Sequence, residues 1–589
     1  MNGKPFNSVW YLGRLLLVIS FCNFPPVYSQ VTHLYKKNLT HTWESLINEY
    51  DRLASSSRMA SLTTIGSTNT GKPMHLFVIS KNGSFTPESA RKNEDAVLFI
   101  LNGIHPGESS GIDASLLFAE SLLKKHEQNA VLKNVTVCIV PVYNVGGMMN
   151  RSAYYRPGQI GPEIRGFRAN ARNIDLNRDF IKADTENTRT LVRTLRAWNP
   201  DFFLDTHTTN GSEHQYVMTL IATQPQKLGG YAGKYLQQKI LPWLYAYMEA
   251  SPYGMIPYVN YTHSSPRQGI SGFMDYPRYS SGYNGLFGTF AFISETHSYK
   301  LYEDRVKATF ELKKALISFL NENKKEILEK RNLKNTKIIY GKYYPLNWRL
   351  DTTRFEEIYF RGYAIKTRTS PVTGIKNYYY DKNEPWEDTI LYQNYFTVSD
   401  SAIVPHSFII SQAWPEVIER LHMNDIQTSR FFNDTLLTAT ALKVENYSTS
   451  QHPDNGRYKH YDISITEQEQ ALKFYSGDYI VQVTPENVGF LMQTLQPQAP
   501  DSYFAWNFFD EILSQKEYFS GFTFDTTAFR LLEENPSIKL AFEKEKANNE
   551  AFNENHYQQL DFIYKRSPYA EKSYLRLPVF KIYHDKLKH

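Results

Sequence analysis

The sequence predicts an α/β fold with a mixed, mostly parallel sheet flanked by helices, followed by a smaller α+β region. Short, wholly apolar runs such as 96–101 and 135–140 are typical of strands buried on both faces. They alternate with amphipathic segments of helical periodicity, as in units where a helix connects two parallel strands. Beyond residue 338 the chain becomes rich in Tyr, Thr and Ile with strand-like alternation, which predicts the second region.

Each element of the first region follows from its local pattern. Apolar residues at helical spacing predict the helices, whereas alternation or a continuous apolar run predicts the strands. In chain order we expect helix 40–53, strands 62–68 and 74–79, strand 96–101, helix 109–125, strand 135–143, helix 187–198, strand 202–205, helix 231–248, strand 289–294 and helix 303–319.

Domain boundaries follow the changes in composition. The stretch 321–337 is dense in Lys, Glu and Asn, which predicts a solvated helix end and a linker. We therefore expect a first domain over 30–325, a linker over 326–340 and a C-terminal α+β region over 341–589. No repeat of fixed period is visible, and the last region contains no recognisable catalytic cluster.

Bulk composition excludes some classes of function. With 589 residues, 41% of them hydrophobic, the chain can bury two or more cores. The net charge of +5 is small for this length and is scattered, so nothing indicates binding to nucleic acid or to an anionic membrane surface. Packing and strand formation account for the aromatic content of 15%, with carbohydrate or peptide stacking as the minor alternative.

The first residues have the pattern of an export signal. Lys4 and Arg14 precede an apolar run, and 27–29 offers small residues where a signal peptidase cleaves. We therefore expect a signal peptide over 1–29 and an exported protein, periplasmic or extracellular. A lipid anchor at Cys22 is not expected, because a bulky residue stands where lipidation needs a small one.

The sequence after this signal predicts neither a membrane-spanning segment nor an internal disulfide. It contains no later apolar run long enough to span a bilayer. Cys138 is its only cysteine, so no internal disulfide can form and stability must come from the size of the core. The sequence does not indicate an oligomeric state.

The motif that bears on function lies between the strand 96–101 and the helix that follows it. His105 and Glu108 stand where the strand ends and the helix begins. Open α/β sheets bind ligands at the carboxyl ends of their strands, where an imidazole and a carboxylate at this spacing can share a metal ion. His41 and Glu44 have the same spacing on the outer face of a helix, so the motif needs support elsewhere.

Three later stretches supply that support. His207 follows the strand 202–205 and would complete an open zinc site of two imidazoles, a carboxylate and a water. The segment 167–180 offers guanidinium and amide groups, which grip carboxylates. A strand delivers Glu295 to the same edge, where a carboxylate can take a proton from zinc-bound water. Taken singly, such a histidine is as readily a packed core residue, and such a segment a solvated loop.

The order of these stretches, together with the strand end at 140–147, resembles the zinc carboxypeptidase family over roughly residues 60 to 325. The match has four parts in the family's order, which makes a chance resemblance improbable. The resemblance implies a zinc carboxypeptidase-like fold and one Zn²⁺ ion. The ligands that it implies are His105, Glu108 and His207.

The resemblance also assigns roles to residues outside the ligand set. Glu295 matches the general base, and Asn177 with Arg178 matches the pair that binds the terminal carboxylate of a peptide substrate. The arginine that polarises the scissile carbonyl precedes this pair in the family. Arg168 is the best match for it, with Arg156 the second choice.

The sequence departs from the family pattern at three places. Asp179 follows the carboxylate-binding pair where the family usually has Asn, and its charge is expected to weaken or retune carboxylate binding. At the position of the substrate-capping tyrosine stands Arg267, with Tyr261 or Tyr279 as possible substitutes. Met274 matches the base of the specificity pocket, which implies an apolar or neutral terminal side chain.

The leading hypothesis is therefore an exported zinc carboxypeptidase that hydrolyses the C-terminal peptide bond of peptides with a free terminal carboxylate. Relatives of this fold also cleave peptidoglycan stem peptides or remove acyl groups from amino acids, and these activities are the enzymatic alternative. A non-catalytic peptide- or glycan-binding scaffold is the alternative of a different class. A scaffold would be free to lose a ligand or the base, yet all four positions are intact.

Overall fold

The computed structural model describes Gly3 and residues 31–124, 128–260, 265–334 and 340–584. Apart from Gly3, the expected signal peptide lies outside the described residues, and so do its cleavage site and Cys22. Within the described ranges, no helix combines the length and the apolar character needed to cross a membrane.

The first region contains every element that the sequence predicts there, and several shorter ones. Its strands are β1 (Ala60–Ser67), β2 (Pro73–Ile79), β3 (Ala96–Leu101), β4 (Val135–Val140), β5 (Arg151–Ser152), β6 (Arg165–Gly166), β7 (Phe202–Thr209), β8 (Met218–Ala222), β9 (Met255–Pro257), β10 (Ile270–Ser271) and β11 (Phe290–His297). Its helices are α1 (Trp43–Ser56), α2 (Pro87–Lys92), α3 (Ser110–Lys124), α4 (Val145–Met149), α5 (Glu186–Trp198), α6 (Pro225–Leu228), α7 (Gly230–Tyr235), α8 (Leu241–Glu249), α9 (Ser280–Leu286) and α10 (Tyr302–Lys334).

Eight of these strands form one sheet in the order β1-β2-β4-β3-β7-β11-β8-β9. The central strands β4, β3, β7 and β11 run parallel, whereas β1, β2 and β8 pair in antiparallel fashion. Both faces of the sheet are covered. One core contains Leu191 of α5, and the other contains Leu116 of α3 and Leu312 of α10. The predicted fold class, a mixed and mostly parallel sheet flanked by helices, is confirmed.

The C-terminal region is rich in strands and ends in short helices. Its strands are β12 (Tyr343–Leu350), β13 (Glu356–Thr369), β14 (Lys376–Gln393), β15 (Phe396–Ile403), β16 (Ser407–Ile410), β17 (Ser429–Arg430), β18 (Thr435–Thr449), β19 (His460–Phe474), β20 (Tyr479–Gln482) and β21 (Arg576–Ile582). Its helices are α11 (Pro415–Met423), α12 (Val488–Leu495), α13 (Gly521–Glu534), α14 (Pro536–Asn548), α15 (Glu550–Asn553) and α16 (His556–Tyr564). A six-stranded sheet has the order β17-β20-β16-β21-β18-β19.

The two regions share a hydrophobic core. Phe287, just after α9, stacks on Phe490 of α12 with ring centroids 5.7 Å apart. The hydroxyl of the buried Tyr283 donates a hydrogen bond of 2.6 Å to Asn424, just after α11. The expected linker over 326–340 begins inside α10, which continues to Lys334, and residues 335–339 lie outside the described part of the chain.

Candidate active site

The possible metal ligands meet at the carboxyl ends of the central strands. His105 and Glu108 lie in the turn between β3 and α3, and His207 lies near the end of β7. Strand β11 pairs in parallel with β7, and its register places Glu295 directly beside His207. Neighbouring residues of paired strands share a face of the sheet, so these two side chains lie on the same side of it. The structure thus brings the four residues to one sheet edge.

The three possible ligands present atoms suited to a single metal ion. The ligand atoms of His105, Glu108 and His207 lie within 4.8 Å of one another, and all three residues are buried. The Nδ1 atom of His105 is 3.2 Å from Oε1 of Glu108, and Nδ1 of His207 is 3.0 Å from Oε2. Two imidazole nitrogens and a carboxylate form a donor set that binds Zn²⁺ and leaves a coordination position open.

The far nitrogen of each imidazole is held by a carboxylate. Nε2 of His105 lies 2.9 Å from Asp175, and Nε2 of His207 lies 2.9 Å from Asp205. Such outer carboxylates fix the ring orientation and raise the basicity of the ligand nitrogen in metal sites. The hydroxyl of Ser280 donates to Asp205 in turn, at 2.6 Å. The Nδ1 atoms are therefore directed to the possible metal position, and the residues present fit a zinc ion.

The charges around these atoms also favour a cation. Burial alone would raise the pKa of the Glu108 carboxyl, but Arg156 and His105 hold that pKa well below its usual range. Burial likewise opposes protonation of His207, yet Asp205 and Glu108 raise the pKa of this imidazole well above its usual range. The two carboxylates thus favour positive charge at His207, and the cations beside Glu108 keep its carboxylate ionised and able to bind a metal.

The two candidate arginines occupy different environments. Each nitrogen of the Arg156 guanidinium donates one hydrogen bond: to Glu108 at 2.8 Å, to the carbonyl of Thr208 at 2.8 Å and to Gln159 at 2.6 Å. The Arg168 side chain is 46% exposed, and its Nη1 atom lies 3.6 Å from Oε1 of Glu108. The Nε and Nη2 atoms of Arg168 donate to Asp175 at 3.1 and 2.8 Å. Arg168 thus differs from Arg156 mainly in being the more exposed of the two, whereas Arg156 anchors a possible metal ligand.

Glu295 lies in a low-dielectric setting. Burial is the main cause that raises the pKa of its carboxyl to about 7, and Glu108 adds to the rise while His207 opposes it. A carboxyl group with a pKa near neutrality can exchange a proton readily at neutral pH.

The residues expected to bind a terminal carboxylate lie on one short turn. Asn177 and Arg178 belong to the 3₁₀ turn Leu176–Arg178, and the Asp175 side chain caps this turn by accepting a hydrogen bond from the Asn177 backbone N–H. The Asn177 side-chain oxygen is buried and has no hydrogen-bond partner within the described structure. The Arg178 guanidinium stacks on the ring of Tyr279, 4.8 Å from its centroid. Both residues line the same cavity as the possible metal ligands.

This cavity has a volume of about 330 Å³ and an apolar side. Ile221, Ile293 and Phe273 line that side together with Tyr258. Met274, the expected base of the specificity pocket, is not among the described residues that line the cavity, and its neighbour Phe273 occupies that wall. The residue that the resemblance assigns to the pocket is thus off by one position: the side chain that lines the cavity is that of Phe273 and not that of Met274.

The departures from the family pattern have distinct structural outcomes. Tyr279 lines the cavity, whereas Tyr261 lies outside the described residues. Arg267 contacts Asp388 at 3.5 Å, away from the cavity. Asp179 is fully buried, and its carboxylate accepts hydrogen bonds from both the backbone N–H and the hydroxyl of Thr185. Its charge therefore fixes the start of α5 and does not face the cavity, contrary to the expected effect on carboxylate binding.

Sequence reasoning missed Asp175, Asp205 and Tyr258. Asp205 stands two residues before His207 on β7, so the period of a strand already places both side chains on one face. Asp175 lies within the polar segment that the sequence singled out, but no local pattern links it to His105. Tyr258 follows the short edge strand β9, which has no clear sequence signal.

Comparison with known proteins agrees with this geometry. The zinc carboxypeptidase family model matches residues 46–327. A metallo-carboxypeptidase structure from Burkholderia cenocepacia is similar at 17% identity and a TM-score of 0.37, covering 48% of this chain and 70% of that chain. A metallo-carboxypeptidase from Pseudomonas aeruginosa in complex with (2-guanidinoethylmercapto)succinic acid is similar at 17% identity and a TM-score of 0.37, covering 49% and 70%. Carboxypeptidase A from Helicoverpa armigera is similar at 14% identity and a TM-score of 0.33, covering 53% and 77%.

No curated protein matches the chain. The matched residues 46–327 include the whole eight-stranded sheet and every residue of the cavity described above. The family is one of zinc-dependent enzymes, and the cavity holds a group of side chains that could bind a metal ion. The chain therefore contains a domain of the zinc carboxypeptidase family and belongs with the zinc-dependent hydrolases of peptide bonds.

Proposed function

We propose that this protein removes C-terminal residues from peptides with the help of one zinc ion. A single observation carries the proposal: one cavity is lined by the possible metal ligands, by the half-buried carboxylate of Glu295 and by the groups suited to a terminal carboxylate. When bound, zinc would activate a water molecule and polarise the scissile carbonyl. The proposed ligands are His105, Glu108 and His207.

Two side chains are proposed to act on the reacting atoms. Glu295 accepts the proton of the attacking water and delivers it to the leaving amine, a role that suits a carboxyl with a pKa near neutrality. Arg168 lines the cavity with a side chain that is 46% exposed, and it stabilises the negative charge that develops on the carbonyl oxygen. Arg156 is less suited to this role, because its side chain is only 20% exposed and its guanidinium already holds the carboxylate of Glu108.

The terminal carboxylate is proposed to bind at the turn that carries Asn177 and Arg178. A guanidinium binds a carboxylate through two parallel hydrogen bonds, and the Asn177 amide adds a further donor. Tyr279 supports this grip, because its ring lies against the Arg178 guanidinium.

The apolar side of the cavity indicates which terminal residue fits. Ile221, Tyr258 and Phe273 line both the catalytic cavity and a neighbouring apolar chamber of about 480 Å³. An apolar terminal side chain would remove these surfaces from water at about 25 cal/mol per Å². We therefore expect a preference for large apolar or aromatic terminal residues, with Phe273 making the contact that the sequence assigned to Met274.

The place of action follows from the sequence. The basic and apolar pattern over 1–29 supports export to the periplasm or the exterior, with residues 30–325 as the catalytic unit, 326–340 as a linker and 341–589 as an accessory region. N-terminal sequencing of the protein recovered from cell fractions tests this point. A mature chain that begins at Met1 inside the cell would contradict it.

The experiment that tests the function compares Glu295→Gln with the wild-type protein. We expect stoichiometric zinc in both proteins, and a loss of about 10²–10⁴-fold in kcat/KM for C-terminal release by the variant. Metal analysis and release of terminal amino acids from a mixed peptide library give the two readouts. Glu486→Gln is the matched control, since this glutamate is exposed and outside the cavity.

The other outcomes select between the alternatives. Zinc without peptide release would favour a stem-peptide hydrolase or an amino-acid deacylase. A protein that binds no zinc and releases no amino acid would favour the binding scaffold.

A further inference from the structure

A second groove begins where the catalytic cavity ends. Asn210 follows the last residue of β7 and lines both the catalytic cavity and a groove of about 790 Å³. One wall of this groove belongs to the first region and includes Gly211, Ser212 and Tyr299. The other wall belongs to the C-terminal region and lies outside the residues that match the zinc carboxypeptidase family.

The outer wall is a long two-stranded arm formed by β13 and β14. Hydrogen bonds hold the base of the arm to the segment just after β7. Gln215 bonds through its backbone N–H to the carbonyl of Arg361 at 3.0 Å, and through its side chain to the carbonyl of Gly362 at 3.0 Å. Lys382 of the arm forms an ion pair of 2.7 Å with Glu213. The arm is therefore fixed relative to the strand that carries His207.

The half of the arm that lines the groove presents one cation and a row of aromatic rings. Arg368 lies opposite Asn377 across the two strands, and both residues line the groove with Tyr378 and Tyr379. The Arg368 guanidinium lies 5.2 Å from the Tyr379 ring centroid, and no carboxylate of the described residues forms an ion pair with it. Tyr378 is 58% exposed.

The position of the groove restricts what it can receive. Asn177 and Arg178 line the catalytic cavity but not the groove, whereas Asn210, just after the strand of His207, lines both. A peptide whose carboxylate is held at Arg178 passes the possible metal position first. Its remaining residues then extend away from Arg178, and the groove leads away from the cavity on the side of Asn210.

We propose that the β13–β14 arm forms an extended binding site for the part of the peptide that precedes the scissile bond, with Arg368 favouring acidic side chains there. This inference rests on the proposed function, since that function fixes the direction of the peptide. The tyrosine rings offer flat apolar surfaces to the chain, and the unpaired guanidinium offers hydrogen bonds to carboxylates. A groove of this volume is within the usual size of a ligand site.

The test uses the full-length zinc-loaded protein and three substrates that share their last two residues. One is an N-blocked dipeptide, and the others are hexapeptides with four upstream glutamates or four upstream glutamines. We expect wild-type kcat/KM to be highest for the glutamate hexapeptide. Arg368→Gln should reduce the advantage of glutamate over glutamine by about two- to fivefold, and leave the dipeptide unchanged. Tyr378→Ala should slow both hexapeptides by about threefold and leave the dipeptide unchanged.

Matched controls are Arg349→Gln and Tyr461→Ala, which alter exposed side chains of the same region outside the groove. The inference would be overturned if wild-type kcat/KM were the same for the dipeptide and the hexapeptides. It would also be overturned if the variants lost equal activity on the dipeptide and on the hexapeptides.

Binding of a labelled glutamate hexapeptide, measured by fluorescence anisotropy, tests this inference separately from the proposed function. If no substrate is hydrolysed but Arg368→Gln still weakens binding by two- to fivefold, the proposed function fails and the groove assignment stands. If binding is unchanged, the groove assignment fails.

Discussion

The two regions of the molecule place their polar residues differently. In the first region, β3 and β4 are buried along their whole length, so polar side chains gather where the central strands end. In the C-terminal region, β14 and β19 consist largely of exposed and half-buried residues, and polar groups are spread along them. The comparison indicates that the C-terminal region can act on the cavity through the loops of the first region that it contacts.

Two contacts show this relation at the cavity. Asp501 binds Arg278, whose neighbour Tyr279 lines the cavity. Asn455, in the turn between β18 and β19, accepts a hydrogen bond of 2.8 Å from the backbone N–H of Asp175, although 280 residues separate them in the chain. The contact of Asp501 supports the wall of the cavity that contains Tyr279. The contact of Asn455 supports Asp175, whose carboxylate holds the proposed zinc ligand His105. If these contacts matter, changes in the C-terminal region will alter both stability and the metal site.

Replacing Asp501 by alanine has the largest expected effect. The carboxylate is fully buried, accepts a hydrogen bond of 2.8 Å from the Arg278 backbone N–H and lies 2.9 Å from its guanidinium. Lys459 is a second cation, 3.5 Å away. Removing the carboxylate leaves both cations without it, so we expect a loss of about 3–5 kcal/mol in the free energy of unfolding, measured by chemical denaturation.

The control is Asp434→Ala, which removes a half-exposed carboxylate paired with Lys473 at 2.9 Å and should cost at most about 1 kcal/mol.

The effect of Asp501→Ala should also depend on pH. Burial alone would raise the pKa of Asp501, but Arg278 and Lys459 hold it below its usual range. Its stabilisation is thus present above the pKa of an unfolded aspartate, about 3.9, and is lost as the pH falls through the lower folded value. Equal losses in both variants would refute the comparison.

Asp205→Asn tests the first region alone, and its expected effect is smaller. The substitution keeps the shape of the side chain but removes the charge behind His207. We expect zinc affinity to fall about ten- to hundredfold, because a neutral partner no longer raises the basicity of the imidazole. Competition with a chelator measures the affinity, and near-ultraviolet circular dichroism checks the fold. Asp462→Asn, at an exposed site of β19, is the control. Unchanged affinity in Asp205→Asn would contradict the role of this outer carboxylate.

Much of the first region was predictable because burial and chemistry leave dense local signals there. The apolar run of β3 and the residues His105 and Glu108 that follow it identify both an element and a site. Asp205 was also within reach of the sequence, since it shares a strand face with His207. The fold class and the family were therefore accessible without the structure.

The remaining features depend on contacts between distant segments. Which of Arg156 and Arg168 is the more accessible depends on how an irregular loop folds, and that loop has no periodic pattern. The match to the family pattern predicts that Met274 lines the cavity, whereas in the structure Phe273 lines it. The contact of Asn455 with the metal site leaves no local trace, because it forms only when the two regions pack together.

Asn455→Gly has the smallest expected effect of these substitutions, and it tests one contact between the two regions. Asn455 has a left-handed backbone conformation with φ of 52°, which glycine adopts without strain, so the substitution removes little besides the amide. The lost hydrogen bond frees the Asp175 backbone, and with it the carboxylate that orients His105. We expect zinc affinity to fall by at most about tenfold, since a hydrogen bond contributes about 0.5–1.5 kcal/mol.

Asn455→Asp restores the acceptor but removes the amide that donates to Asp454 at 2.6 Å, so it should recover part of the affinity, which a purely structural defect would not do. Asp462→Gly is the matched control, because Asp462 has φ of 51° and is exposed on the same hairpin. Chelator competition on the four proteins gives the answer. If Asn455→Gly binds zinc as the wild type does, the C-terminal region stabilises the first region without tuning its metal site. If the aspartate variant alone recovers, the metal site extends across both regions.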